Sequence, residues 1–173
     1  MKWLKKAFNW FKSIFTDEVI VIDPPPPLEE PQTITPSDWC YSKAMEYLGV
    51  SEGDGDYIIE NMFYKSQGKK YDSSVPWCSA FMNAVYVSIG YKSTKSLWAR
   101  SHLSVGKEVS LDRAVQGDIV ILWRKKKHSQ YGHVGFYHKH NDDRVWLLGG
   151  NQSNKVCIKS YNRKRLLGVR RLT

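Results

Sequence analysis

Residues 132–151 read GHVGFYHKHNDDRVWLLGGN, two apolar stretches joined by a short polar segment. His133–His140 and Arg144–Gly150 are rich in the β-branched and aromatic residues that favour strands. Between them, Asn141-Asp142-Asp143 has the composition of a turn. The pattern predicts an antiparallel β-hairpin.

The register of this hairpin decides which side chains meet. If the turn is centred on Asp142, Phe136 lies opposite Leu148 and His133 lies opposite Asn151. Directly opposed residues of an antiparallel pair point to the same face of the sheet. We therefore expect an imidazole and a carboxamide side by side at the open end of the hairpin, and a slip of one residue would separate them.

The rest of the chain places helical patterns before strand patterns. Ser37 is the expected N-cap of a first helix that runs through Trp39 and Leu48 to a stop at Gly49. Further helices are predicted over about 56–65 and from Trp77 to Gly90, and further strands over about 118–123, 155–160 and 166–171. This order predicts an α+β fold in which helices pack on a roughly five-stranded antiparallel sheet.

The chain has 173 residues, about the length of one domain. Residues 1–16 have the spacing of an amphipathic helix, with aromatic side chains on one side and lysines on the other. Residues 17–35 are acidic and contain Pro24–Pro27, which predicts an extended linker. We place the folded domain at residues 36–173.

The N-terminal helix lacks the uninterrupted apolar stretch of a signal peptide, because Lys5 and Lys6 break it. No apolar run in the chain is long enough to predict a transmembrane helix. Bulky aromatics opposite lysines favour an anionic membrane surface as the partner of residues 1–16. A protein partner and simple packing against the domain are the open alternatives.

The formal net charge of +9 predicts attraction to polyanions such as a bacterial wall, anionic lipid or nucleic acid. Bases cluster in Arg124–Lys127 and again over residues 155–173, where no acid occurs. Such runs are typical either of solvated surface or of an anion-binding face. Nucleic acid is the least favoured partner, since no nucleic-acid-binding motif is visible.

Cys78 is the cysteine placed for chemistry. It follows Pro76-Trp77 at the start of the predicted helix, where free N–H groups and the helix dipole favour a thiolate. We expect the thiol pKa to fall there and the same N–H groups to hold an oxyanion. Cys40 and Cys157 lie within a helix and a strand, and the odd number of cysteines argues for free thiols.

His133 is the expected base for that thiol, with Asn151 fixing the tautomer of its ring. The pair His138 and His140 shares a face of the strand, but no carboxylate or thiol at ligand spacing accompanies it. We therefore predict neither a metal nor a cofactor. His102 has no evident partner in the sequence.

Four segments carry a family resemblance. VPWCSAF at residues 75–81, QGDIV at 116–120, GHVGF at 132–136 and LGGNQS at 148–153 resemble, in order and spacing, a phage-associated group of papain-like cysteine peptidases. That group belongs with the NlpC-like and CHAP peptidoglycan hydrolases. The resemblance covers about residues 36–173 and implies a papain-like fold.

The resemblance also implies the roles of three side chains. Cys78 is the implied nucleophile and His133 the implied base. The third polar residue is Asn151 or Gln152, and the register argument favours Asn151. The expected activity is hydrolysis of peptide or amide bonds in bacterial peptidoglycan, without metal or cofactor.

The organism-level role implied by the resemblance is that of a bacteriophage endolysin, made in the host cytoplasm and acting on the cell wall. Two alternatives stay open: a virion-associated lysin used at entry, and a non-catalytic protein that binds the wall or membrane. The candidate bonds are a stem-peptide bond, a cross-bridge bond and the sugar-linked amide.

Overall fold

The computed structural model describes residues 33–68, 72 and 74–173. The helix predicted over residues 1–16, and the linker over 17–35 up to residue 32, lie outside this part of the chain. No helix in the described part is long and apolar enough to cross a membrane.

Helices precede the sheet along the chain, as the sequence predicts. The helices are α1 (Pro36–Met45), α2 (Asp56–Gln67) and α3 (Cys78–Ser88). The strands are β1 (Lys107–Val109), β2 (Ile119–Trp123), β3 (Gly132–His140), β4 (Arg144–Gly149), β5 (Cys157–Asn162) and β6 (Leu166–Arg171).

The strands form one sheet in the order β1-β6-β2-β3-β4-β5, and every neighbouring pair is antiparallel. The α+β class is confirmed, as are all five predicted strands. The additional strand, β1, is three residues long and pairs with β6 at the edge of the sheet. A strand this short carries too little alternation to be predicted from its sequence.

Strand β2 is buried on both faces of the sheet. Ile119 and Ile121 of β2 face a core shared with α3, whereas Val120 and Leu122 face a second core. Burial on both sides explains why β2 reads as an unbroken apolar run rather than as an alternating one. Phe81 of α3 packs edge to face against Phe136 of β3 and joins helix to sheet.

The first helix begins two residues earlier than predicted. Thr35, not Ser37, is the N-cap: its hydroxyl accepts from the Asp38 N–H, and the Asp38 carboxylate accepts from the Thr35 N–H at 2.8 Å. The helix also ends at Met45 rather than continuing to Leu48. Reciprocal capping by a Thr and an acid three residues later outweighs the weaker signal of Ser37.

Asp118 ties α1 to the sheet and is fully buried. Its carboxylate accepts two hydrogen bonds from the Arg171 guanidinium, at 2.9 and 2.7 Å, and one from the Ser37 hydroxyl at 3.0 Å. The preceding Gly117 has a φ of 89°, and a Cβ there would lie 1.8 Å from the Ser37 carbonyl oxygen. Only glycine fits this junction.

The predicted hairpin register is confirmed at its centre, where Phe136 pairs with Leu148. The register shifts by one residue between Tyr137 and Lys139, so the pairs near the turn differ by one residue from those that the central register predicts. The predicted pairing of His133 with Asn151 is wrong. β4 ends at Gly149, and the strand partner of His133 is Leu122 on β2.

Candidate active site

Cys78 is the first residue of α3 and is buried. Trp77, the residue before it, is also buried and donates from its indole N–H to the Glu52 carboxylate at 2.7 Å. The chain after β4 passes so close that a Cβ on Gly150 would lie 2.5 Å from the Trp77 ring and 2.7 Å from Phe81. Glycine at residue 150 therefore allows this segment to approach the start of the Cys78 helix.

The surroundings of the Cys78 sulfur act on its pKa in opposite directions. Burial raises the pKa of the thiol and is the largest effect. The backbone N–H groups of Val134 and Ser79 and the charge of Arg124 oppose that rise. The expectation of a lowered pKa is wrong for the resting protein, because desolvation outweighs the helix N-terminus.

The N–H of Val134 places the sulfur against β3 beside His133. His133 is buried, and burial lowers the pKa of its imidazole to about 4. The charges of Arg124, Arg165 and Lys159 lower it further, whereas a hydrogen bond to Gln152 opposes them. The thiol and the imidazole are thus both neutral in the resting protein at pH 7.

The ring of His133 is held by Gln152 at 3.1 Å, from Nε2 to Oε1. The Gln152 amide nitrogen donates to the carbonyls of Leu147, Gly149 and Cys157, which fixes the amide oxygen toward the ring. Nε2 therefore carries the proton, and Nδ1 is the basic nitrogen. The ring therefore presents an unprotonated Nδ1 that can accept a proton.

Gln152, not Asn151, is the partner of the imidazole, which corrects the expectation from the register. Asn151 has a φ of 55°, in the left-handed region, so the alternation of β4 does not continue through it. Gln152 is buried, and its oxygen also accepts from the Tyr161 hydroxyl at 2.7 Å. The Tyr161 ring lies 5.1 Å from that of His133, a contact with no signal in the sequence.

A second buried histidine, His102, braces Ser79, the residue after Cys78. The Ser79 hydroxyl donates to the Ser96 carbonyl at 2.7 Å and so accepts from His102 Nε2 at 2.8 Å. His102 Nδ1 then accepts from the Tyr86 hydroxyl at 3.0 Å. His102, which has no evident partner in the sequence, joins α3 to the segment Ala99–Ser104.

The histidine pair on β3 is occupied by tyrosines. Tyr41 hydrogen-bonds to His138 at 2.5 Å, and Tyr137 hydrogen-bonds to His140 at 2.7 Å. In the part of the chain that the structure covers, no three or more His, Cys, Asp or Glu side chains come together as a metal site would require.

Cys78 opens onto a cavity of about 280 Å³. Its lining combines apolar, aromatic and polar side chains with one guanidinium: Val75, Pro76, Cys78, Leu97, Trp98, Ala99, Arg124, Gln130, Tyr131 and Gly132. A larger cavity of about 690 Å³ lies against α1, and its lining does not include Cys78. The cavity of about 280 Å³ therefore gives access to Cys78.

Comparison with solved structures identifies the fold. The P60 domain of antigen MAP1204 from M. avium subspecies paratuberculosis superposes with a TM-score of 0.50 at 12% identity, over 79% of this chain and 93% of that domain. The chain shares its fold with a P60 domain. At this identity the likeness establishes the fold alone.

A second solved structure is an NLP/P60-family protein from Staphylococcus aureus Mu50, described as similar to lipoprotein. It matches with a TM-score of 0.47 at 19% identity, over 79% of this chain and 41% of that one. The present chain thus spans less than half of that protein. No family model and none of the curated proteins matches the sequence.

Proposed function

We propose that this protein is a cysteine hydrolase that cleaves peptide or amide bonds of bacterial peptidoglycan through a thioester. One observation carries the proposal: a thiol at a buried helix N-terminus lies against the strand of His133, whose ring is fixed by Gln152. The fold shared with a P60 domain and the four motifs that resemble peptidoglycan hydrolases support the choice of substrate.

The first half of the reaction starts from the neutral pair. The Cys78 sulfur attacks the scissile carbonyl carbon while its proton passes to His133 Nδ1. The negative charge that forms on the carbonyl oxygen is stabilised by N–H groups at the start of α3, and the backbone N–H of Cys78 is the candidate donor. The bond from Nε2 to Gln152 holds the imidazolium in the orientation needed for the next step.

The imidazolium then protonates the leaving nitrogen, the C–N bond breaks, and an acyl thioester remains on Cys78. Water attacks this thioester while neutral His133 takes its proton. Collapse of the second tetrahedral intermediate expels the sulfur, which takes the proton back from the ring. The products are a carboxylic acid and an amine, and the enzyme returns to its starting state.

The biological role that we propose is that of a bacteriophage endolysin, which degrades the wall from within at the end of infection. The same chemistry would serve a virion-associated lysin at entry. The motifs support both roles equally. Detection of the protein in purified virions would favour the second, and its presence only in late-infected cells would favour the first.

The test of the activity is digestion of purified peptidoglycan, followed by mass analysis of the released fragments. Cys78→Ala should abolish release, and His133→Ala should reduce it nearly as much, with both variants folded by circular dichroism. Cys40→Ala is the matched control, because Cys40 is a buried thiol of α1, its pKa is raised to about 12, and it lies outside the Cys78 cavity.

Fragment release by Cys78→Ala would refute the assignment of the nucleophile. Wall binding without release by the wild-type protein would instead support the non-catalytic alternative. Iodoacetamide adds an independent criterion, since it should silence an enzyme through Cys78 and leave a binding protein largely unaffected.

A further inference from the structure

Arg124 is the residue of the Cys78 cavity that the proposed chemistry does not use. It follows β2 directly and lines the same cavity as Cys78. Its side chain is exposed and forms neither a hydrogen bond nor an ion pair with any residue of the described chain. A guanidinium that pairs with none of the described residues, at the entrance to a cavity lined by Cys78, can bind a ligand.

The backbone at Arg124 is held from both sides. Its N–H donates to the Tyr131 carbonyl at 3.0 Å, and the Ser129 hydroxyl donates to its carbonyl at 2.8 Å. Arg100 pins the same loop through a hydrogen bond to the Lys127 carbonyl at 2.6 Å. The guanidinium therefore extends from a fixed point, which reduces the entropy lost when it binds.

Three other bases near the cavity have partners of their own. The Lys125 ammonium lies 4.0 Å from the centre of the Tyr131 ring. Arg165 donates to the Trp123 carbonyl at 2.9 Å, and Lys159 donates to the Ser153 hydroxyl at 2.7 Å. Arg124 differs from these three because its guanidinium lines the cavity and pairs with none of the described residues.

The electrostatic surroundings favour an anion. The charge of Arg124 acts on both Cys78 and His133, and the charges of Arg165 and Lys159 act on His133 with the same sign. The described residues that line the cavity include no Asp or Glu. An anionic group that enters this cavity meets positive potential and no carboxylate from these lining residues.

We propose that Arg124 determines specificity by binding a carboxylate on the substrate residue that adjoins the scissile bond. This inference rests on the proposed function, because it assigns the substrate class of the same site. A guanidinium binds a carboxylate through two parallel N–H···O bonds, whereas the ammonium of a lysine acts as a point charge. The cavity of about 280 Å³ accommodates an acidic side chain beside the carbonyl under attack.

The experiment compares untreated peptidoglycan with peptidoglycan whose carboxylates have been converted to carboxamides by carbodiimide and ammonium. In about 0.3 M salt, which screens distant charges, the wild-type protein should lose about tenfold in kcat/KM on the amidated wall. Arg124→Gln should lose the same factor on untreated wall and respond little to amidation. Arg124→Lys should fall between the two.

The matched control is Arg113→Gln, which removes the same charge from an exposed arginine of the segment Leu111–Arg113. Leu111 packs into the second core, on the face of the sheet away from α3, so Arg113 lies apart from the cavity. This variant should keep the wild-type preference for untreated wall. The proposal would be overturned if Arg124→Gln also kept this preference. An Arg124→Gln variant whose kcat/KM fell by the same factor on untreated and amidated wall would be such a case.

Binding by the full-length Cys78→Ala protein separates this proposal from the proposed function. Tenfold tighter binding to untreated than to amidated wall, lost in the Cys78→Ala, Arg124→Gln double variant, supports carboxylate recognition even if the wild-type protein hydrolyses nothing. Equal binding to both walls by Cys78→Ala, beside normal hydrolysis by the wild-type protein, refutes the role of Arg124 and leaves the hydrolase intact.

Discussion

Acid should destabilise this domain through two histidines that are buried in their neutral form. Burial lowers the pKa of His102 to about 3 and that of His133 to about 4, from an ordinary value of 6.5. As the pH falls below 6.5, the unfolded chain binds protons at both residues while the folded protein does not. The stability that neutral burial provides is therefore complete above about pH 6.5 and is lost as the pH approaches 4 and then 3.

The loss has a definite size. While a histidine stays neutral in the folded state and protonates in the unfolded state, the free energy of unfolding falls by about 1.4 kcal/mol for each pH unit. At about pH 5, each of His102 and His133 should therefore have lowered the free energy of unfolding by about 2 kcal/mol. Against a typical total stability of about 5–15 kcal/mol, the sum of about 4 kcal/mol is easily measured.

The assay is urea unfolding at about pH 7 and about pH 5 for the wild-type protein and for His102→Gln. Glutamine does not titrate, and its amide offers one donor toward Ser79 and one acceptor toward Tyr86. Between the two pH values, the free energy of unfolding should fall by about 2 kcal/mol less in the variant than in the wild type. His128→Gln, which removes an exposed histidine, should behave like the wild type. An acid-induced loss as large in His102→Gln as in the wild type would refute the argument.

Three further outcomes follow from the described contacts. Asp118→Asn should lower the free energy of unfolding by about 2–3 kcal/mol, because it leaves Arg171 beside a neutral amide; an unchanged urea midpoint would contradict this. Gln152→Ala should reduce kcat about 100-fold in protein shown to be folded, whereas Asn151→Ala should cost less than about threefold; equal losses would argue against Gln152 as the positioning residue. Because the pKa of His133 is about 4, kcat/KM should stay nearly constant from about pH 7 down to about pH 5, and a midpoint near 6.5 would contradict the buried neutral ring.

Patterns that span several residues predicted the fold well. The β2, β3 and β4 sequences contain β-branched or aromatic residues and lie between turn residues, and each forms the expected strand. The central register of the hairpin is also correct, because Phe136 and Leu148 must both face the core. Because one whole face of each strand is buried, a shift in register would expose its apolar residues. The register can therefore be predicted from a single sequence.

Contacts set by one or two backbone angles were not predictable. The left-handed conformation of Asn151 turns the chain out of β4, and Gln152 rather than Asn151 meets His133 as a result. The direction in which the pKa of the Cys78 thiol shifts was not predictable either. Burial raises it, and the depth of that burial depends on how closely the sheet approaches α3. Tyr161 reaches the site from β5 across the sheet, a distance that no local pattern encodes.

The position of β6 bears on how the protein is made and degraded. Although β6 follows every other strand along the chain, it lies inside the sheet between β1 and β2, and it carries the Arg171 that neutralises Asp118. Ribosomal synthesis thus delivers this interior strand after Cys78 and His133, and β1 joins the described sheet only through β6. Arg163–Arg165, a basic turn just before it, offers trypsin-like proteases a cleavage site. One cut there would detach an interior element and leave a buried carboxylate without its counter-ion.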